Sequence, residues 1–277
     1  MPSAKRIKTK LLILLLLPLS LHSQPIAPEG VNTAVGETEV LQYDLYYNWK
    51  FLWVKAGSAS MSVTRTFYEG EPAFRTRLLT RGSDRADRFF VLRDTLTSLV
   101  TSFDMLPRLY TKTDMEGEKY RQRFVRYSYS GKQSVAEQHY INPYGVSKWQ
   151  TDRRDSVIYD MLSFLLRARS FDPSDWEEGR AIRFLMTDGG GVEEQTLIFR
   201  GRKTVNMHNN DARYNCLVLS FVEYDKKGKD HDIATFYVTD DLNHIPVRVD
   251  FFLSFGSSKA YLSGYTGLRN EMTARVK

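Results

Sequence analysis

The sequence predicts a mainly β protein: a large curved antiparallel sheet, either an open barrel or a sandwich, with one long helix packed against it. Apolar and polar residues alternate with a period of two along most of the chain, which is typical of strands with one buried face. Turn-forming stretches separate these runs, among them EGEP at 69–72, SGK at 130–132 and DGGG at 188–191. One segment, 152–173, has helical spacing instead.

The first residues predict a secretory signal peptide. Basic residues precede an unbroken apolar run, 11–17, which ends at Pro18, and Ser23 is a small residue suited to cleavage before Gln24. This apolar run is too short to cross a bilayer. No cysteine lies near the cleavage point, so a lipid anchor is not expected. We therefore expect an exported protein, located in the periplasm or associated with the outer envelope.

The predicted organisation has four parts. Residues 1–23 form the signal peptide, 24–35 a flexible start of the mature chain, 36–270 a single β-rich domain and 271–277 a C-terminal tail. No later stretch approaches the roughly 18 apolar residues of a membrane-spanning helix.

Charge and cysteine content narrow the class of protein. The chain has a net charge of +6, but four of its 39 Lys and Arg residues lie before residue 11. The mature chain then has 35 basic against 33 acidic residues, a net charge of +2, which does not favour nucleic-acid binding. The sole cysteine, Cys216, lies in an apolar run, so an intrachain disulfide is not expected and the hydrophobic core must stabilise the fold.

Three stretches show the strand pattern most clearly. Each has one apolar face and one more polar face. The apolar faces are Tyr43, Leu45, Tyr47 and Trp49 in the first; Ala59, Met61 and Val63 in the second; and Val247, Val249, Phe251 and Leu253 in the third.

The helical segment is predicted to run for about four turns, with Asp152 or Asp155 as the N-cap and Pro173 beyond its end. Its polar side chains form one stripe, and apolar residues cover the rest of its surface, so the helix should be largely buried. The stripe consists of Ser156, Asp160, Ser163 and Arg167. A shorter helix is predicted at 85–90.

These elements suggest a ligand-binding site. Tyr43, Tyr47 and Trp49 would line the wall of an apolar cavity in the curved sheet, and Asp160 with Arg167 would form its polar edge. The alternative is structural: the aromatic residues fill their own core, and each charged residue of the helix pairs with the sheet. Arg121 and Arg123 share a strand face, which predicts either a contact with anionic envelope glycolipids or a solvated surface.

The stretch TFYVTDDLNHIPVRVDF, 235–251, offers Asp240, Asp241 and His244 as three candidate metal ligands. The same residues suit a hairpin turn, because Asp and Asn accept hydrogen bonds from nearby backbone amides and Pro246 can begin the next strand. The clean alternation that follows favours the turn. We predict no metal site and no cofactor.

Motifs of known catalytic sites are missing from the sequence. It has no G-x-S-x-G elbow, no H-E-x-x-H pair and no phosphate-binding glycine loop. Paired-carboxylate catalysis stays open, because its two side chains need not be close in sequence. The enzyme question is therefore undecided, with the balance against an enzyme and no catalytic residue to name.

Three passages together resemble one family. GETEVLQYDLYYNWKFLWVKAGSASMSV is similar to its opening, YDMLSFLLRARS to its mid-chain helix, and TFYVTDDLNHIPVRVDFFLSFGSSKAYLSGY to its end. This is the exported bacterial family known as domain of unknown function 3108, and the resemblance covers residues 36–268. It departs from the family at VTDD, where many relatives would have a tryptophan. The resemblance implies a β-rich protein of the periplasm or outer envelope without an established activity, and it supplies no catalytic residues.

The predicted architecture is also similar to that of the periplasmic lipoprotein-carrier proteins, as an analogy of fold alone. The leading hypothesis is an envelope protein that binds a lipid or a lipoprotein moiety in the concavity of its sheet. The first alternative is a structural or interaction module that binds another envelope component. The second is a hydrolase acting on envelope glycans or lipids.

Overall fold

The computed structural model describes residues 30–49, 52–84, 92–116, 119–131, 133–253 and 256–276. The predicted signal peptide and the predicted helix at 85–90 lie outside these residues. The helix α1 spans Met161–Ala168. The strands are β1 (Thr38–Trp49), β2 (Leu52–Tyr68), β3 (Glu71–Gly82), β4 (Leu92–Thr101), β5 (Pro107–Glu116), β6 (Lys119–Ser130), β7 (Gln133–Ile141), β8 (Ser147–Arg154), β9 (Ile158–Tyr159), β10 (Ala181–Thr187), β11 (Val192–Asn206), β12 (Arg213–Tyr224), β13 (Asp230–Thr239), β14 (Pro246–Leu253), β15 (Gly256–Thr266) and β16 (Arg275–Val276).

The strands form one continuous sheet. Its order is β8-β7-β6-β5-β4-β3-β2-β1-β15-β14-β13-β12-β11-β10-β9, and β16 pairs with β12 beside this path. Neighbours in the sheet are antiparallel, apart from β9 and β10, which are parallel. Two series of hairpins, one before α1 and one after it, meet where β1 pairs with β15.

The sheet rolls into a nearly closed barrel, and side chains join its two ends. Gln138 on β7 accepts hydrogen bonds from the Thr187 hydroxyl and from the Gly191 amide, the latter at 3.1 Å. Arg123 on β6 forms an ion pair of 3.4 Å with Asp188, in the turn after β10. Of the two predicted architectures, the open barrel is confirmed and the sandwich is not formed.

The predicted alternation is confirmed along the strands. Leu41 and Tyr43 of β1, Met61 of β2 and Val247 and Val249 of β14 are all buried in one core cluster. Helix α1 packs against this face of the sheet, so these side chains point into the barrel.

Helix α1 closes one end of the barrel. Leu162 packs with β4 to β7, Phe164 packs with β10 to β13, and Leu166 packs with the cluster that contains Leu41 and Met61. Leu162, Phe164 and Leu166 therefore pack against three different parts of the barrel wall. We call the end that contains α1 the closed end, and the opposite rim, where β5 ends and β6 begins, the mouth.

The predicted long helix is wrong in length and in its start. The helix has eight residues, because 152–154 continue strand β8 and Ile158 pairs in parallel with Leu185 of β10. The N-cap is Asp160 rather than Asp152 or Asp155. Pairing with a strand distant in sequence overrides local helical spacing here. Of the predicted polar stripe, Asp160, Ser163 and Arg167 are buried.

The chain segments next to the closed end pack against it. Arg169, which follows α1, forms a buried ion pair with Glu39 of β1, and its Nη2 also donates to the carbonyl of Ala34 at 3.3 Å. Ala34 and Val35 are buried, so the described part of the predicted flexible segment, 30–35, lies on the barrel. In the predicted tail, β16 pairs with β12.

Candidate functional site

Tyr43 belongs to the packed core. It is buried, and its hydroxyl donates to the carbonyl of Pro246 at 2.9 Å. Burial raises the pKa of this hydroxyl well above its ordinary value, partly offset by the charge of Arg169. Tyr43 is therefore held between β1 and β14.

Tyr47 and Trp49 lie farther along β1, toward the mouth. Tyr47 is half-buried and pairs with Ser258 of β15. The backbone of Trp49 pairs with Leu52, and its side chain lies outside the described residues.

Asp160 is fully buried at the start of α1. Its carboxylate accepts from the amides of Leu162 and Ser163, at 3.0 and 2.9 Å, and from the Ser98 hydroxyl of β4 at 3.0 Å. Burial raises the pKa of Asp160 to about 6, although these hydrogen bonds oppose the rise. Asp160 therefore caps the helix and attaches it to the barrel wall.

Arg167 lies in the last turn of α1, with its guanidinium 5.1 Å from the centre of the Phe171 ring. Asp160 and Arg167 are thus at the closed end, whereas Tyr47 is near the mouth. The structure does not bring the five predicted ligand-binding residues together in one site.

The acidic turn between β13 and β14 binds backbone groups. Asp241 accepts from the amides of Asn243 and Ala274, at 3.0 and 3.2 Å, and the His244 ring contacts the carbonyl of Arg169 at 2.6 Å. Asp240 accepts from Arg202 at 3.2 Å. Within the described residues, no group of His, Cys, Asp and Glu has the arrangement of a metal site. These contacts match the turn interpretation.

One wall of the mouth is charged. On β5, Lys112 and Asp114 continue the inward face of Tyr110, which packs with Leu162 of α1. On β6, Arg121 and Arg123 continue the inward face of Val125 and lie opposite Asp114 and Lys112 in the strand register. The charged side chains therefore point into the barrel between α1 and the rim.

Asp114 connects this wall through ion pairs. Its carboxylate is 2.8 Å from Nη1 of Arg121, 3.6 Å from Nη1 of Arg123 and 4.0 Å from Nζ of Lys112. Asp94 of β4 lies opposite Asp114 in the register, so two carboxylates are neighbours here. Asp114 is held by Arg121 as an ion pair, so its carboxylate is not free.

The opposite wall of the mouth is aromatic. In the strand register Tyr47 is opposite Ser258, Ser258 is opposite Phe251, Phe251 is opposite Ala234, and Ala234 is opposite Phe221. These side chains share one face of the sheet because directly paired residues point to the same side.

The next row of the same face identifies it as the inward one. This row includes Phe236 and Leu219, which pack in the same cluster as Phe164 of α1. The row nearer the mouth is less covered, and Phe251 is 37% exposed. The mouth thus has partly exposed aromatic rings on one wall and cationic side chains on the other.

The sequence did not show that Arg121 and Arg123 point inward. The interpretation as a solvated face is wrong, because both are mostly covered and bind Asp114. The spacing Arg121, Arg123, Val125 and Tyr127 contained a signal, since the last two are apolar and two residues apart on the same face. Phe221 and Phe251 were not predicted as site residues, because alternation places each on an apolar strand face but does not show that this face lines the mouth of a barrel.

The fold and the mouth define a barrel-like protein whose interior is filled by a helix at one end. The family model for "Protein of unknown function (DUF3108)" matches residues 42–263, and the chain belongs to that family. A crystal structure of a beta-barrel-like protein of domain of unknown function DUF1849 from Brucella abortus is similar, with a TM-score of 0.52 and 10% sequence identity. The match covers 84% of this chain and 98% of that chain, and at this identity it shows the fold alone.

A comparison with curated proteins finds no match. In the described part of the chain, none of the helices combines the length and apolar character needed to span a membrane.

Proposed function

We propose that this chain is an exported cell-envelope protein that binds an amphiphile with an anionic head group at the mouth of its barrel. The observation that carries the proposal is the contrast between the two inward walls. Phe251, Phe221 and Tyr47 offer apolar surface to an acyl chain. Arg121 and Arg123 offer planar cations to a phosphate or carboxylate.

The mouth is a better location than the closed end. Near α1 the interior is filled, because Leu162, Phe164 and Leu166 pack into three buried clusters. Close-packed interiors leave no room for an acyl chain. The row that contains Phe251 is only partly covered, so a ligand would bury surface there that is now exposed.

Uptake of a fluorescent fatty acid, cis-parinaric acid, tests the apolar wall. Phe251→Ser should weaken binding several-fold, because it removes an inward aromatic ring that the ligand would cover. Phe252→Ser is the matched control: Phe252 is adjacent and 50% exposed, but it points to the outer face and should leave binding unchanged. No uptake by the natural chain, or an equal loss in both variants, would overturn the proposal.

Binding of acyl phosphates of equal chain length tests the charged wall. Arg123→Gln should weaken binding and reduce its dependence on salt, because one cation is lost. Arg126→Gln is the control, since Arg126 lies on β6 but is exposed on the outer face. If both variants bind as the natural chain does, the head group does not contact this wall.

Export is supported by the pattern of the first 23 residues. Fractionation of the producing cells, with N-terminal sequencing of the recovered chain, should give a periplasmic or envelope-bound protein that begins at Gln24. Recovery from the cytoplasm with an intact leader would contradict it.

A second candidate is an interaction module of the envelope. Strand β8 pairs only with β7 among the described residues, so one of its backbone edges is unpaired, and Trp149 on this strand is 68% exposed. Such an edge can pair with a strand of another protein. Cross-linking from position 149 in intact cells, with no acyl binding by the purified protein, would favour this candidate over the first.

A further inference from the structure

Two arginines near the end of α1 differ in their surroundings. Arg167 and Arg169 are both buried, with 6% and 2% of their surface exposed. Each guanidinium nitrogen of Arg169 forms a hydrogen bond: the group binds both carboxylate oxygens of Glu39 and donates to the carbonyls of Asn243 and Ala34. The fold thus provides a carboxylate for the arginine that has a structural role.

Arg167 has no such partner among the described residues. Its Nε and Nη1 atoms are buried and form no hydrogen bond, and no ion pair joins it to an acid there. Its favourable contacts there are with the Phe171 ring, at 5.1 Å, and with the neighbouring Tyr159 hydroxyl. A cation over an aromatic face recovers only part of the hydration that burial removes.

The backbone of Gly30 covers the guanidinium. A Cβ atom at this position would lie 1.7 Å from Nη2 of Arg167, so only glycine leaves room for the arginine as it stands. The guanidinium is therefore enclosed between the Phe171 ring and the backbone of Gly30.

A second buried polar group lies beside Arg167. The hydroxyl of Tyr159 on β9 is buried next to the guanidinium, and its own proton has no acceptor among the described residues. Burial raises the pKa of Tyr159 to about 12, and the positive charge of Arg167 opposes this increase. The negative charge of Asp104 adds to the rise in the pKa of Tyr159. The Asp104 carboxylate accepts a hydrogen bond from the Thr101 hydroxyl.

We propose that Arg167 and Tyr159 form a binding site for an oxyanion, a carboxylate or a phosphate, at the closed end of the barrel. A planar guanidinium donates two parallel hydrogen bonds to such a group, and a tyrosine hydroxyl can donate a third. Both side chains are buried, so little water reaches the site, which strengthens these bonds. This site is separate from the mouth and does not depend on ligand binding there.

Thermal unfolding of the purified protein in sodium phosphate, sodium acetate or sodium chloride at equal ionic strength tests the site. Phosphate or acetate should raise the midpoint in a saturable way, and chloride should not, because it lacks the two oxygens that pair with the guanidinium. The site prefers the anion, phosphate or acetate, whose stabilising effect is half complete at the lower concentration, and we call this concentration the saturation constant. Equal stabilisation by all three salts would show general screening and overturn the proposal.

Two variants locate the effect. Tyr159→Phe should raise the saturation constant about tenfold, because one charge-assisted hydrogen bond to the anion is lost, with little effect on the fold. Arg167→Gln should abolish saturation. Arg126→Gln, at an exposed position, should behave as the natural chain. Unchanged saturation in Tyr159→Phe and Arg167→Gln would place the ion elsewhere.

A third variant identifies a source within the chain. Glu29 immediately precedes Gly30 in the sequence. If Glu29→Gln destabilises the protein as much as Arg167→Gln and creates a new dependence on acetate, the chain provides the carboxylate itself and the proposed ligand site is refuted. The proposal requires Glu29→Gln to leave the saturation constant unchanged.

Discussion

The ion pair between Glu39 and Arg169 can be tested by removing its carboxylate. The two side chains are 0% and 2% exposed, and Nη2 of Arg169 lies 2.8 Å from Oε2 of Glu39. Glu39→Gln leaves the guanidinium charge buried without a counterion. Breaking a buried pair in this way costs about 3–5 kcal/mol of unfolding free energy.

The expected change is large enough for ordinary calorimetry. In a domain of this size, each kcal/mol shifts the melting temperature by about 2–4 °C, so Glu39→Gln should lower it by roughly 6–20 °C. Urea titration should give the same loss without a change in m-value. Glu37→Gln is the control: its ion pair with Arg65 is exposed, and its loss should cost at most about 1 kcal/mol.

The double variant separates the pair from its surroundings. Glu39→Gln combined with Arg169→Met removes both charges, so its loss should be well below the sum of the two single losses. Strictly additive losses, or a Glu39→Gln protein as stable as the Glu37→Gln protein, would refute the conclusion that charge pairing holds α1 to β1.

Three further predictions concern single positions. Between about pH 4 and pH 6 the folded chain keeps a proton on Asp160 that the unfolded chain has lost, so the stability that this proton contributes is complete below pH 4 and is lost as the pH rises through 6. Asp160→Asn keeps the helix cap and should flatten this part of the curve of unfolding free energy against pH. Parallel curves for the variant and the natural chain would contradict the prediction. Burial raises the pKa of Cys216 to about 12, so the thiol should react with a disulfide reagent only after unfolding, and rapid labelling of the native protein would contradict its burial. Gly267 has φ +70, and a Cβ there would lie 1.5 Å from the carbonyl oxygen of Thr38. Gly267→Ala should therefore lower the melting temperature far more than the control Gly70→Ala, whose site has φ +85 but no neighbour within 4 Å. Equal decreases in the two variants would contradict the prediction.

Strand content could be predicted because it depends on local alternation. Met61, Val63, Val247 and Val249 are all buried as their spacing indicates. The helix could not be bounded in the same way. Its predicted first turns contain Ile158, whose partner Leu185 lies on β10, and such a long-range pairing leaves no mark in the local pattern.

The candidate site was less accessible from sequence for a related reason. Alternation shows that Arg121 and Arg123 share a face, but only barrel closure decides that this face is the inner one. Glu39 and Arg169 are 130 residues apart, so no spacing rule connects them. The family resemblance identified the chain correctly and contained no information on these contacts.

The pairing of β1 with β15 has a consequence for how the molecule assembles. Each series of hairpins joins neighbours in sequence and can form quickly, whereas Val40 must meet Thr266, more than 200 positions later. Until the last strands have been synthesised, β1 presents an unpaired edge that another chain can occupy. Chains truncated before β15 should therefore aggregate, and a chaperone that shields β1 during synthesis would increase the yield of folded protein.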